Sequence, residues 1–335
     1  VEHRIGLSDG RIKTSWSGHM NVKVFLELVE IKTKIASIFP FFIGVTFSLT
    51  YFKEWNVVNT LLFFAGMLIF DMTTTAINNL MDYKKAKSET YKREKNVIGR
   101  EGLSEKKIGQ LILGMIFLTL VIGLILSYQT GWLLLIMGGL VCFIGIFYTF
   151  GPIPLSRMPL GEVFSGITMG LGIFAITVYI NTPLQRVFYL TIDFQAGLFA
   201  LTGNLWGTLA MILASLPLVF TIADLMLANN LRDLEDDIKN HRYTLVYYIG
   251  REWGIVLLQA LMYASYAALL LGLLLGIFQW PILFVFATLP KIYQHLKEHR
   301  ASLPHPRSFG YGIKNLILFN SAYLASLLLT LLIGK

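Results

Sequence analysis

The sequence predicts an all-α, polytopic membrane protein, and three observations carry that prediction. Of 335 residues, 55% are hydrophobic and only 14% charged, with a mean hydropathy of +0.63, too apolar for an ordinary soluble domain. Apolar stretches long enough to cross a hydrocarbon core of about 30 Å recur along the chain. The basic residues then gather in alternate connections between those stretches.

Taken in order, the apolar pattern predicts about nine transmembrane helices, over residues 35–52, 57–79, 108–127, 131–150, 160–180, 207–230, 253–277, 280–296 and 311–333. Residues 183–203 are aromatic and interrupted by Asp193, with Asn204 following. They read as an interfacial connection and not as a tenth span. Residues 1–34 are expected to form a cytoplasmic N-terminal segment ahead of a transmembrane domain over 35–335. Their charges interrupt any continuous apolar stretch, so no cleaved signal peptide is expected. Residues 29–38 should enter the first span from an amphipathic surface helix.

With the N-terminus in the cytoplasm, every Lys and Arg except Lys53, Arg186 and Lys335 falls on the cytoplasmic side. The positive-inside rule therefore predicts a multi-pass cell-membrane protein in that orientation. The lipid bilayer is the partner this implies. A net charge of +8 calls for no nucleic acid, because juxtamembrane lysines beside anionic headgroups account for it. The lone Cys142 lies inside the fourth span, which rules out an intrachain disulfide and suits a packing role.

The most informative pattern is a repeated pentapeptide. Asn-Asn-Leu-x-Asp occurs at Asn78–Asp82 and again at Asn229–Asp233, each where an apolar span meets a charged loop. Both copies face the cytoplasm, so the two half-sites can share one ligand. Carboxylates at the rim of a bilayer are costly to place and commonly have a functional partner. In the second copy, Asn229, Asp233 and Asp237 recur every four residues and share one helix face. Such an oxygen ledge suits Mg²⁺, which keeps some waters and is shared between a few carboxylates and substrate phosphates. The competing reading is an acidic, solvated helix end with Arg232 pairing locally.

In the first copy, Asn78 and Asp82 form the matching ledge, and Asp71 lies seven residues deeper on the same face. For Asp71, a role in a cavity and a structural hydrogen bond to a neighbouring helix both remain open. Ala86 occupies the next four-step position and cannot bind a metal, although Ser88 or Glu89 can return an oxygen if the chain turns there. Lys84, Lys85, Lys87, Lys92, Arg93, Lys95 and Arg100 follow the first ledge, and Lys239 and Arg242 follow the second. Most serve topology, but Arg100, Lys239 and Arg242 sit where short loops can fold back over the ledges. Together with Arg232 they are the candidate contacts to a polyanion.

These residues resemble a known family. The paired motifs, the linker Tyr148-Thr149-Phe150-Gly151-Pro152-Ile153-Pro154-Leu155, the stretch Pro159-Leu160-Gly161-Glu162 and the basic tail Asn240-His241-Arg242-Tyr243-Thr244 look like the UbiA superfamily of intramembrane prenyltransferases. Within it they are most similar to the branch acting on 1,4-dihydroxy-2-naphthoate. The resemblance runs from the second helix through the seventh and implies nine helices around a central cavity. It implies that Asn78 and Asp82 form one half of a site for Mg²⁺ and a polyprenyl diphosphate, and Asn229, Asp233 and Asp237 the other. It also places Tyr148 near the reacting carbon, where its ring face can stabilise an allylic cation. Asp82, Asp233 and Tyr148 are thus the expected catalytic residues. The expected reaction joins the polyprenyl group to the naphthoate with loss of CO2 and diphosphate, giving demethylmenaquinone. The first motif departs from the family pattern, with Asn78-Asn79 in place of Asn-Asp and Ala86 in place of a further Asp.

Two other readings stay open on sequence. A relative with another acceptor, such as hydroxybenzoate, homogentisate or a tetrapyrrole, would share every motif. A transporter or membrane binding protein can also gather acidic residues in a bundle, although transport usually needs polar access from both faces. Here the acidic clusters lie at one face only.

Overall fold

The computed structural model describes residues 20–86, 89–148, 155–182, 184–239 and 241–333. Thr149 to Pro154 of the linker, Asn240, Lys87 and Ser88 fall outside them. So do the first nineteen residues.

The chain enters through α1 (Val22–Leu28), capped by Asn21, whose side chain accepts from the Val24 amide at 2.9 Å. The predicted single amphipathic helix over 29–38 is instead broken at Glu30, where a left-handed φ of 47° turns the chain into a 3₁₀ turn, Ile31–Lys34. From there α2 (Ile35–Phe47) runs on through a π-turn at Ser48–Phe52. Asn56 caps α3 (Val57–Lys85), which ends on the first motif. A short α4 (Val97–Arg100) precedes α5 (Glu105–Thr130) and α6 (Trp132–Phe147).

Beyond the linker, α7 (Gly161–Ser165) passes through a π-helical stretch, Gly166–Gly172, into α8 (Ile173–Asn181). Residues 188–203 form no helix, as expected of an interfacial connection: β1 (Phe188–Asp193) and β2 (Leu198–Gly203) pair antiparallel, Phe188 opposite Gly203. Next come α9 (Leu205–Lys239), carrying the second motif at its end, and α10 (Leu245–Leu274). The last elements are α11 (Leu289–Ser302) and α12 (Arg307–Ile333).

Seven helical segments among the described residues are long and apolar enough to cross a membrane. Two of the nine expected spans depart from this. The fourth is the 16-residue α6. The eighth, expected over 280–296, divides into a 3₁₀ stretch, Trp280–Thr288, and then α11. Pro281 and Pro290 each open one of the two pieces, where a missing N–H is tolerated. Lys291, Lys297, Glu298 and Arg300 interrupt the apolar run of α11, which keeps only one apolar face, with Ile292 and Leu296 in the main core.

Lipid tails are as apolar as leucine, so helices inside a bilayer associate through close packing and not through water exclusion. Gly166 and Gly170 show this. A Cβ on Gly170 would lie 2.6 Å from the Val219 backbone nitrogen, and one on Gly166 would lie 2.8 Å from the Val219 carbonyl. The span made by α7 and α8 is thereby pressed against the backbone of α9. The main core joins α2, α8, α9, α10 and α12 through Phe47, Phe174, Leu218, Met262, Phe319 and Tyr323. A second core, including Leu28, Ala76, Leu80, Ile98 and Ile108, holds α1, α3, α4 and α5 together.

Asp71 proves structural. Its carboxylate accepts from Lys34 Nζ at 2.8 Å and from Ser37 Oγ at 2.5 Å, and Lys34 also donates to Thr75 Oγ1 at 2.6 Å. With the Lys34 and Asp71 side chains 3% and 16% exposed, this is a largely desolvated ion pair that ties the start of α2 to the middle of α3.

Candidate active site

The two Asn-Asn pairs divide their labour in the same way. In each, the second Asn stitches helices together. Asn79 donates to the Leu28 carbonyl at 2.9 Å, and Asn230 donates to Glu162 Oε1 at 2.8 Å. The first Asn of each pair is left half-buried beside the aspartates.

Asp82 is exposed on the last turn of α3, and Asp233 is half-buried on the last turns of α9. Asp237 is 4% exposed, and its Oδ2 has no hydrogen-bond partner among the described residues. Arg232 spans the second ledge: it donates to Asn229 Oδ1 at 2.7 Å and to both Asp233 oxygens at 2.6 and 2.5 Å, with its guanidinium 4.7 Å from the centre of the Phe309 ring. The local pairing weighed for Arg232 is therefore present, and it engages the ledge itself.

A tight turn brings Arg242 home. His241 takes a left-handed φ of 55°, and the Arg242 amide donates back to the Asp237 carbonyl at 2.8 Å, closing the end of α9. Arg242 Nη1 then lies 3.4 Å from Asp237 Oδ1, and the guanidinium is within electrostatic range of Asp82 and Tyr148 as well. The Tyr243 amide donates to the Arg157 carbonyl at 3.2 Å, and Arg157 is also within range of Asp82. Tyr148, at the end of α6, donates to the Gly161 carbonyl at 3.3 Å. So Asp82, Asp233, Asp237, Arg232, Arg242 and Tyr148 converge at one face of the bundle.

Three expected contributors stand apart. Arg100 pairs with Glu27 at 2.6 Å and Glu101 at 3.1 Å, bonds that hold its guanidinium even more firmly protonated and dock α4 on α1. Lys239 pairs with Asp236 at 3.5 Å on the exposed end of α9. Glu89 is exposed and pairs with Arg93 at 3.4 Å, four residues on, so it does not reach back to Asp82. The pairs of Glu89 with Arg93 and of Lys239 with Asp236 follow from helical spacing, four and three residues apart, whereas that of Arg100 with Glu27 depends on where the chain travels between them.

Among the described residues no three Asp, Glu, His or Cys side chains converge closely enough to hold a metal by themselves. The donors that are present still fit Mg²⁺. They are hard oxygens at the ends of α3 and α9, one of them, Asp237 Oδ2, buried and without a partner among the described residues, leaving coordination positions for phosphate oxygens and water. By contrast, a cavity of about 320 Å³ at the opposite end of α3, lined by Glu54, Asn56, Asn59 and Asn181, contains no motif residue. Its amides already bond one another and nearby backbone.

Two acidic motifs on helix ends, with an arginine in electrostatic range of both inside an α-helical membrane bundle, are the arrangement of an intramembrane prenyltransferase. The chain belongs to the UbiA prenyltransferase family, whose model matches residues 37–309. It is 30% identical over 283 residues to 1,4-dihydroxy-2-naphthoate octaprenyltransferase from Bacillus subtilis (strain 168), covering 82% of this chain and 81% of that protein. Its fold is shared with a UbiA homolog from Aeropyrum pernix K1, at a TM-score of 0.62 and 16% identity over 88% of this chain and 98% of the other. A UbiA homolog from Archaeoglobus fulgidus bound to DMAPP and Mg²⁺ has a TM-score of 0.59 and 13% identity, covering 90% of this chain and 98% of that one. The protein is thus a multi-pass membrane prenyltransferase, and the transporter reading falls away.

Proposed function

We propose that the protein transfers a polyprenyl group from its diphosphate to 1,4-dihydroxy-2-naphthoate, at a site facing the cytoplasm. The observation that carries this reading is the position of Arg242, which pairs with Asp237 at the end of α9 and is within electrostatic range of Asp82 at the end of α3. The name of the Bacillus relative supports the acceptor, and the one-sided distribution of Lys and Arg supports the orientation.

Asn78 and Asp82 on one side, and Asn229, Asp233 and Asp237 on the other, would hold Mg²⁺. When bound, it supplies positive charge that offsets the diphosphate as the allylic C–O bond breaks. Arg242 and Arg232 take the outer phosphate oxygens, to which a guanidinium fork is matched. Arg100 and Lys239 would act at longer range, as charges near the approach. Tyr148 turns its ring toward the allylic carbon, where a π-face attracts developing positive charge. The new bond forms at the ring carbon bearing the carboxylate, and CO2 leaves as aromaticity returns. Together these steps yield the quinol form of demethylmenaquinone.

The test is direct. Purified protein in detergent, with Mg²⁺ and a polyprenyl diphosphate, is offered dihydroxynaphthoate and 4-hydroxybenzoate in parallel, and the products are weighed by mass spectrometry. A prenylated, decarboxylated naphthoquinol from the first acceptor alone is the expected result. Product only from hydroxybenzoate overturns the acceptor, and product from neither overturns the reading.

A further inference from the structure

Glu162 is a buried acid that neither motif explains. It lies at the start of α7 and is 3% exposed. Its Oε1 accepts from Asn230 Nδ2, while among the described residues the buried Oε2 has no hydrogen-bond partner and no ion pair includes Glu162. A carboxyl buried with one oxygen unmatched is costly, and such groups call for a reason. Bracing Asn230 is not a sufficient one. That bond needs a single acceptor oxygen, which the neutral amide of glutamine would supply without burying an acid.

The surroundings supply a better reason. Glu162 adjoins Gly161, whose carbonyl receives the Tyr148 hydroxyl, and it lies within electrostatic range of Tyr148. Asn230 places it against the second motif. The close approach of Gly166 and Gly170 to Val219 fixes α7 against α9, so the carboxyl has little freedom to swing away.

We propose that Glu162 accepts, and then returns, the proton of the acceptor's ring hydroxyl, a step that rests on the acceptor proposed above. In 1,4-dihydroxy-2-naphthoate one hydroxyl sits on the carbon next to the one bearing the carboxylate. As that ring carbon bonds to the allylic carbon and the C–O bond to diphosphate breaks, the neighbouring hydroxyl passes its proton to Oε2 and its carbon becomes a carbonyl. The product of this step is a β-keto carboxylate. Loss of CO2 leaves the electrons of the broken C–C bond in the ring as an enolate, whose oxygen takes the proton back from Glu162. One C–C bond has formed, one C–O and one C–C bond have broken, and neither proton nor electron is consumed.

Glu162→Gln keeps the shape and the acceptor for Asn230 but removes the proton acceptor. The expected result is a fall in kcat of about 100-fold or more, the scale of general-base catalysis, with KM for the naphthoate little changed. Binding of an unreactive thiolodiphosphate analogue with Mg²⁺ should match wild type, which also shows that the variant is folded. Glu162→Ala should regain activity on addition of formate, a small carboxylate that fits the space vacated. Wild-type turnover in Glu162→Gln overturns the proposal. So does an equal loss of analogue binding in both variants with no rescue by formate, which would make Glu162 a brace only. If the wild-type protein prenylates no naphthoate, the acceptor assignment fails first and takes this step with it; full activity of Glu162→Gln beside an active wild type defeats this step alone.

Discussion

Arg242 Nη1 lies 3.4 Å from Asp237 Oδ1, across a turn that only a left-handed residue at 241 can close. The pair brings the basic tail back over the end of α9, within range of Asp82 on α3.

Replacing Arg242 with Gln should lower kcat/KM for the prenyl diphosphate about 100-fold, close to 2.7 kcal/mol of transition-state binding. Arg242→Lys keeps the charge but loses the fork and should recover only part of it. Steady-state kinetics with each variant checks both. Equal activity of Arg242→Gln and wild type would remove Arg242 from the site.

Asp82→Asn and Asp233→Asn should each reduce turnover by at least about 100-fold while leaving the thermal unfolding profile in detergent unchanged. Near-normal activity of both at saturating Mg²⁺ would dissolve the two-motif site.

Glu89 supplies a contrast. Because it pairs with Arg93 on an exposed surface, Glu89→Ala should leave the Mg²⁺ concentration for half-maximal activity where it is, and shift stability by no more than about 0.5 kcal/mol. A Mg²⁺ titration in which the midpoint rises severalfold would return Glu89 to the first ledge.

Lys34→Met leaves the Asp71 carboxylate without its cation and should destabilise the protein by about 3 kcal/mol, as breaking a desolvated pair typically does. Removing both charges, as Lys34→Met with Asp71→Leu, should recover most of the loss. Unfolding temperatures of the single and double variants measure the difference, and a double variant no better than the single would mean that the charges do not act as a pair.

Burial on α11 pushes His299 down to about 4 from its ordinary 6.5, so it is neutral in the folded protein. The unfolded chain binds a proton there below pH 6.5, and the folded one does not until about pH 4. Stability contributed by neutral His299 is therefore complete above pH 6.5 and declines as the pH falls between those values, by up to about 1.4 kcal/mol per unit. The unfolding temperature should drop on acidification from pH 7 to 5. His299→Gln should flatten that dependence; an identical slope in the variant would assign the effect elsewhere.

Much of this is legible in the sequence. The spacing of Asn229, Asp233 and Asp237 places them on one face of α9, and apolar length alone located the spans that became continuous helices. What escaped were partnerships between residues far apart in sequence. Asp71 could equally have lined a cavity until Lys34 and Ser37 reached it across more than thirty residues. Glu162 was visible as part of a motif, but its partner Asn230 is 68 residues away, and its unmatched oxygen has no signature in periodicity. The expected eighth span failed for a local reason. Residues 280–296 are apolar on average, but two prolines and the charges of α11 divide them, and an average hides such a division.

The grip of Arg232 on Asn229 and Asp233 bears on the order in which ligands arrive. A bare cation approaching that ledge must compete with a guanidinium already seated there. A cation that comes with its diphosphate gives Arg232 an anion to turn to, so the same encounter removes the competitor. On the proposed reading, joint arrival of metal and lipid diphosphate at Asn229 and Asp233 is thereby favoured over arrival of the metal alone.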